Sequence, residues 1–66
     1  MDKKEIVDEI KDNILNNYGG VKEFVRNYGG DSFNEELVNW FMINNDYHEP
    51  NVEVFIKMWR VCFPSI

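Results

Sequence analysis

The tetrapeptide Asn-Tyr-Gly-Gly occurs twice, at 17–20 and 27–30, in a chain of only 66 residues. Glycine loses more conformational freedom on ordering than any other residue, so a Gly-Gly pair rarely lies inside a regular element. The repeat therefore confines the first element to residues before 19 and leaves room for only a short second one, between 21 and 28.

Hydrophobic periodicity fills those spaces with helices. Ile6, Val7, Ile10, Ile14 and Tyr18 recur at three- and four-residue spacing, with Asp2, Glu5, Glu9 and Asp12 on the opposite side, which predicts an amphipathic helix over 2–18. The early acids also suit the positive end of the helix dipole. Gly19 then stands where a left-handed cap conformation is free of a β-carbon, and Gly20 lets the chain turn. Val21, Phe24, Val25 and Tyr28 follow at i, i+3, i+4 and i+7. They predict a helix over 21–28 that Gly29 and Gly30 end in the same manner, with Tyr18 and Tyr28 as anchors under the two turns.

Ser32-Phe33-Asn34-Glu35 has the spacing of a capping box, with Ser32 as the expected cap. The third helix then spans 33–45 through Leu37, Val38, Trp40, Phe41, Met42 and Ile43, leaving Glu35, Glu36 and Asn39 as a narrow polar side. Its apolar arc covers roughly 200°, where about 100° suffices for a surface helix.

The last segment, NVEVFIKMWRVCF, is rich in residues of strand propensity. As a helix it aligns Glu53, Lys57 and Arg60 on one stripe, with Glu ahead of Lys in the favourable order. No other segment reads as a strand that could pair with it, and a lone strand leaves its backbone unpaired. The prediction is a helix over 51–63, begun at Pro50 and stopped by Pro64; a strand paired across a homodimer is the alternative. The expected fold is all-α, a single domain of four helices over 1–66. The last two helices carry more apolar surface than so small a bundle covers, so part of it is expected to meet another protein.

Composition narrows the function classes. Cys62 is the only cysteine, which rules out an internal disulfide and suggests a reducing compartment. No apolar run reaches 18 residues, and MDKKEIVDEI lacks the apolar core of a signal peptide. These features predict a protein of the bacterial cytoplasm without a membrane partner. The chain has no Ala, Thr or Gln and nine Asn, a bias toward AT-rich codons that suits bacteria and their phages. Net charge is −5, and the thirty residues between Arg26 and Lys57 hold six acids and no Lys or Arg. Such a surface cannot displace counterions from a phosphate backbone, so direct nucleic-acid binding is disfavoured and a basic protein partner is favoured.

Sites of other kinds fare worse. Tyr-Gly-Gly lacks the lysine and spacing of a phosphate loop. Asp46-Tyr47-His48-Glu49 offers potential ligands, but the single His and single Cys are far apart in sequence, short of a metal set. Ser32, Cys62 and Ser65 are the available nucleophiles: Ser32 is expected as a helix cap, Ser65 is one of the last two residues, and Cys62 lies on an apolar arc without a base near it in sequence. A helix-turn-helix is compatible with 21–45, yet Glu35 and Glu36 would occupy the first turn of the recognition helix. No catalytic, cofactor or metal site is expected.

The reading that joins charge to aromatics is a non-enzymatic binding protein. It would be an anti-CRISPR or anti-restriction type of phage or mobile-element inhibitor, blocking the basic site of a larger nucleic-acid-processing protein by mimicking DNA. Two acidic faces are candidates: Asp2, Glu5, Glu9 and Asp12 form one, and Asp31, Glu35, Glu36, Asp46 and Glu49 the other. Trp40 and Trp59 are the candidate anchors. The first alternative is a small homodimeric regulatory or assembly module, and a helix-turn-helix DNA-binding regulator ranks third.

Overall fold

The computed structural model describes residues 2–64. Four helical segments follow one another: α1 (Lys3–Asn16), α2 (Val21–Phe24), α3 (Glu35–Ile43) and α4 (Pro50–Cys62). α2 runs directly into a π-helical turn, Val25–Gly29, and the described residues contain no strand. The C-terminal segment is helical, and the strand alternative does not arise.

α1 starts at Asp2, whose carboxylate accepts the Glu5 N–H at 2.9 Å, and buries Ile6, Val7, Ile10 and Ile14. Its end is widened. Tyr18 N donates to Asn13 O at 3.1 Å, a five-residue closure, and Gly20 N reaches back to Ile14 O at 2.8 Å. Gly19 at φ 80° and Gly20 at φ 95° supply the backbone conformations this closure needs. The second copy of the repeat also sits at a five-residue closure, its first three residues forming the end of the π-helical turn Val25–Gly29. The two tyrosines meet, with ring centroids 4.7 Å apart.

The second ending differs from expectation. Gly30 alone has positive φ, 53°, while Gly29 is the last π-helical residue and is buried. Its carbonyl accepts both Ser32 N and Phe33 N, which holds the following turn closed.

The cap of α3 is likewise corrected. Asn34, not Ser32, is the N-cap, its side-chain oxygen accepting Leu37 N at 2.7 Å. The reason is Phe33, which is 1% exposed: a helix begun at Ser32 would commit Phe33 to its first turn, whereas the observed start leaves it just outside as a hydrophobic staple paired with Val38 in position. α3 stops at Ile43 because Asn44 turns extended and places its carbonyl over α1, where Lys11 Nζ donates to it at 2.8 Å. Asp46 organises the next turn by accepting His48 N. Glu49 caps α4 by accepting Asn51 N at 2.7 Å, and Pro50 takes the first helical position.

All four helices contribute to one core. Phe41 of α3 lies flat on Phe55 of α4, 3.9 Å between centroids and 5° between planes. Trp59 is fully buried, with Phe63 at 4.3 Å, Phe24 at 5.4 Å, Tyr18 at 6.1 Å and Phe33 at 6.2 Å. Its indole Nε1 is the one buried side-chain polar atom without a hydrogen-bond partner among the described residues. An unmade bond of this kind costs about 1–3 kcal/mol, set here against a large aromatic burial.

Candidate functional site

The apolar arcs of α3 and α4 exceed what the core absorbs, and the excess forms a groove between them. Asn34, Glu36, Leu37 and Trp40 of the α3 side face Asn51, Val54, Phe55 and Met58 of α4 across about 470 Å³. That volume lies within the range of ligand-sized clefts. Phe55 is fully buried and makes the floor, while Leu37, Trp40 and Met58 are half-buried and Val54 is 52% exposed. One helical turn beyond Trp40, Ile43 is 77% exposed; beyond Met58, Val61 is 83% exposed. Apolar surface therefore continues past the groove on both helices.

The two tryptophans separate. Trp40 lines the groove and is partly accessible. Trp59 is 0% exposed, which corrects the expectation that it could anchor a partner: on α4 it shares its buried side with Val52, Phe55 and Ile56. Leu37, Val54 and Met58 belong to the groove and were not singled out from sequence. The signal for them was the width of the two apolar arcs.

The acids also sort by what they do inside the protein. On α1, Asp2 is spent as the N-cap and Asp12 accepts from Asn16 at 2.6 Å, leaving Glu5 exposed and Glu9 half-exposed. The second set does not form one face. Asp31, Glu35 and Glu36 gather at the start of α3, all exposed, and Asp46 and Glu49 lie beyond its end, about 13 Å of helix away. Those two are engaged in the turn and the α4 cap. Only Glu36 of the five lines the groove.

Cations sit elsewhere. Lys3 pairs with Glu53 at 2.7 Å, and its hydrogen bond holds the Glu53 carboxyl below the ordinary value. Lys4 bonds Asp8 at 3.2 Å, which raises the lysine. Arg26 pairs with Glu23 at 2.5 Å, and Lys11 lies 5.9 Å above the Phe41 ring while bonding Asn44. None of the groove's lining residues is a cation.

Among the described residues no three His, Cys, Asp or Glu side chains gather as a metal set. Cys62 is free and exposed, and Ser32 is exposed in the turn before α3; Ser65 lies outside the described residues. No described helix is long and apolar enough to cross a membrane. Comparison with protein-family models, curated proteins and solved structures finds no match.

Proposed function

We propose that this chain is a non-enzymatic binding protein that docks on a larger, basic nucleic-acid-processing protein and blocks its nucleic-acid or partner site, as phage and mobile-element inhibitors do. The observation that carries this reading is the pairing, on one side of the molecule, of a partly exposed tryptophan with carboxylates at the start of the same helix. Trp40 opens into the α3–α4 groove, Glu36 lines it, and Glu35 and Asp31 are exposed nearby in sequence. An aromatic that a partner can bury, with steering charge beside it, is the composition of a protein-binding hot spot. Carboxylates gathered at the start of α3, Asp31, Glu35 and Glu36, repel a phosphate backbone and attract the cations that would hold one.

The test is capture of partners from nuclease-treated bacterial lysate, including lysate expressing RNA-guided nucleases, with washes at low and high salt and identification by mass spectrometry. The expected result is a basic nucleic-acid enzyme that is lost at high salt and whose activity the purified protein inhibits. Exposed charges are screened beyond about 8 Å at physiological ionic strength, so the salt step separates steering charge from apolar adhesion. Recovery of the bait alone, or of a salt-resistant neutral partner, supports the homodimeric or assembly module instead. A gel shift of mixed duplex DNA at micromolar protein and low salt would contradict both.

A further inference from the structure

The α3–α4 groove has a definite chemistry, and it restricts what can sit there. Its apolar wall is Leu37, Trp40, Val54 and Met58, its floor is Phe55, and Glu36 is the charged group on its lining. From 27 to 56 the chain holds no Lys or Arg. On α4, Lys57 and Arg60 fall on a different stripe from Val54 and Met58, the stripe they share with Glu53.

We infer that the occupant of this groove is a basic amphipathic helix of the partner protein, seated with its apolar stripe between Trp40 and Met58 and its Lys or Arg residues beside Glu36 and Glu35. The inference rests on the docking reading above and specifies its recognition element. Three physical points select it. An extended peptide would leave its backbone groups to water and to the two lining amides, Asn34 and Asn51, with no strand among the described residues to pair with; a helix brings its backbone bonds with it. Its apolar positions at i, i+4 and i+7 span about 10 Å, the scale of two turns of α3 from Leu37 to Ile43. A second copy, seated groove to groove, would bring two Glu36 carboxylates into one interface, a like-charge juxtaposition that disfavours it.

The inference is tested with the purified protein and a synthetic Leu/Lys amphipathic helical peptide of about five turns. Controls are a scrambled peptide of the same composition and a Leu/Glu counterpart. Binding is read by tryptophan emission and by amide shifts in nitrogen-15 NMR spectra. The expected result is saturable binding of the Leu/Lys helix alone, shifting amides of α3 and α4 and weakened about tenfold by Val54→Glu. Glu35→Gln/Glu36→Gln weakens it, while Glu5→Gln/Glu9→Gln, which removes the same charge from α1, leaves it unchanged. Val54 and these glutamates are at least partly exposed, and circular dichroism verifies that each variant remains folded.

Equal binding of the scrambled peptide, equal loss in the α1 variant, or shifts confined to α1 would overturn the inference, since each means adhesion to bulk negative charge. So would concentration-dependent dimerisation that shifts the same α3 and α4 amides without peptide, which assigns the groove to a second copy. Failure here is distinguishable from failure of the docking reading. A captured enzyme lost by Glu35→Gln/Glu36→Gln but retained by Val54→Glu keeps the function and removes the helix from the groove. Peptide binding as expected without an enzyme in the lysate does the reverse.

Discussion

At Gly29 an added β-carbon would lie 3.3 Å from Val25 Cγ1 and 3.9 Å from Phe33 Cβ, whereas at Gly30 nothing stands within 4 Å. Space alone would make Gly30 the tolerant position. Backbone reverses that order, because Gly30 has φ 53° and ψ −137°, a region that side chains other than glycine rarely enter. Gly30→Ala is therefore expected to destabilise by about 1–3 kcal/mol. Gly29→Ala exchanges a tight contact, which Val25 can relieve by a few tenths of an ångström, for a gain in helix propensity of up to about 1 kcal/mol. Thermal unfolding of the two variants checks the order: Gly30→Ala should melt lower, and near-equal melting would show that the turn after Gly29 adapts. A second pair tests the cap. Asn34→Ala removes the acceptor of Leu37 N and should cost about 1 kcal/mol, near 4–8 °C in a domain of this size. Ser32→Ala should stay within about 0.5 kcal/mol, as a surface change away from any cap does.

Among the elements, the helices were legible and their joints were not. A 3.6-residue period is written locally, so segments expected over 2–18, 21–28, 33–45 and 51–63 appear with ends shifted by one or two residues in most cases. The stripe of Glu53, Lys57 and Arg60 correctly outweighed the strand propensity of α4. What sequence concealed depends on distant partners. Ser32 and Asn34 are both good caps, and the choice fell to Asn34 because Phe33 is required in the core beside Phe55 and Trp59. The π turn has no signal of its own before Gly29 is seen to be packed against Val25. Trp40 and Trp59 look alike on their helices; only the arrangement of four helices puts one inside and one in the groove. The contact between α1 and α4 carries its own prediction. The Lys3 hydrogen bond lowers the Glu53 pKa below 4.5, so the stabilisation is present above the unfolded-state value and lost as pH falls through the folded one. Melting of wild type and Glu53→Gln across pH should differ near neutrality and converge in acid. A constant gap would assign the effect of the substitution to something other than the charge.

For the whole molecule, a small chain has made a full core and still left apolar surface over. Among the described residues twelve hydrophobic ones are buried, four aromatic rings (Tyr18, Phe24, Phe33 and Phe63) gather around Trp59, and no charged side chain is buried. Yet Ile43, Val54 and Val61 remain more than half exposed, near or beyond a groove holding Trp40 and Glu36. Leu15 on α1 and Tyr28 are exposed as well, so exposure alone does not mark a docking face; what distinguishes Ile43, Val54 and Val61 is their place along or beyond the groove. The acidic surface of α1 differs: Asp2 and Asp12 serve local structure, and neither Glu5 nor Glu9 lines the α3–α4 groove. The most direct measurement is therefore a face-resolved capture. Wild type, Glu35→Gln/Glu36→Gln and Glu5→Gln/Glu9→Gln are used as parallel baits at low salt, and the captured nucleic-acid enzyme is quantified. The docking reading predicts equal recovery by wild type and the α1 variant and at least a severalfold loss by the α3 variant. Equal loss by both variants, or undiminished recovery by the α3 variant, would contradict it.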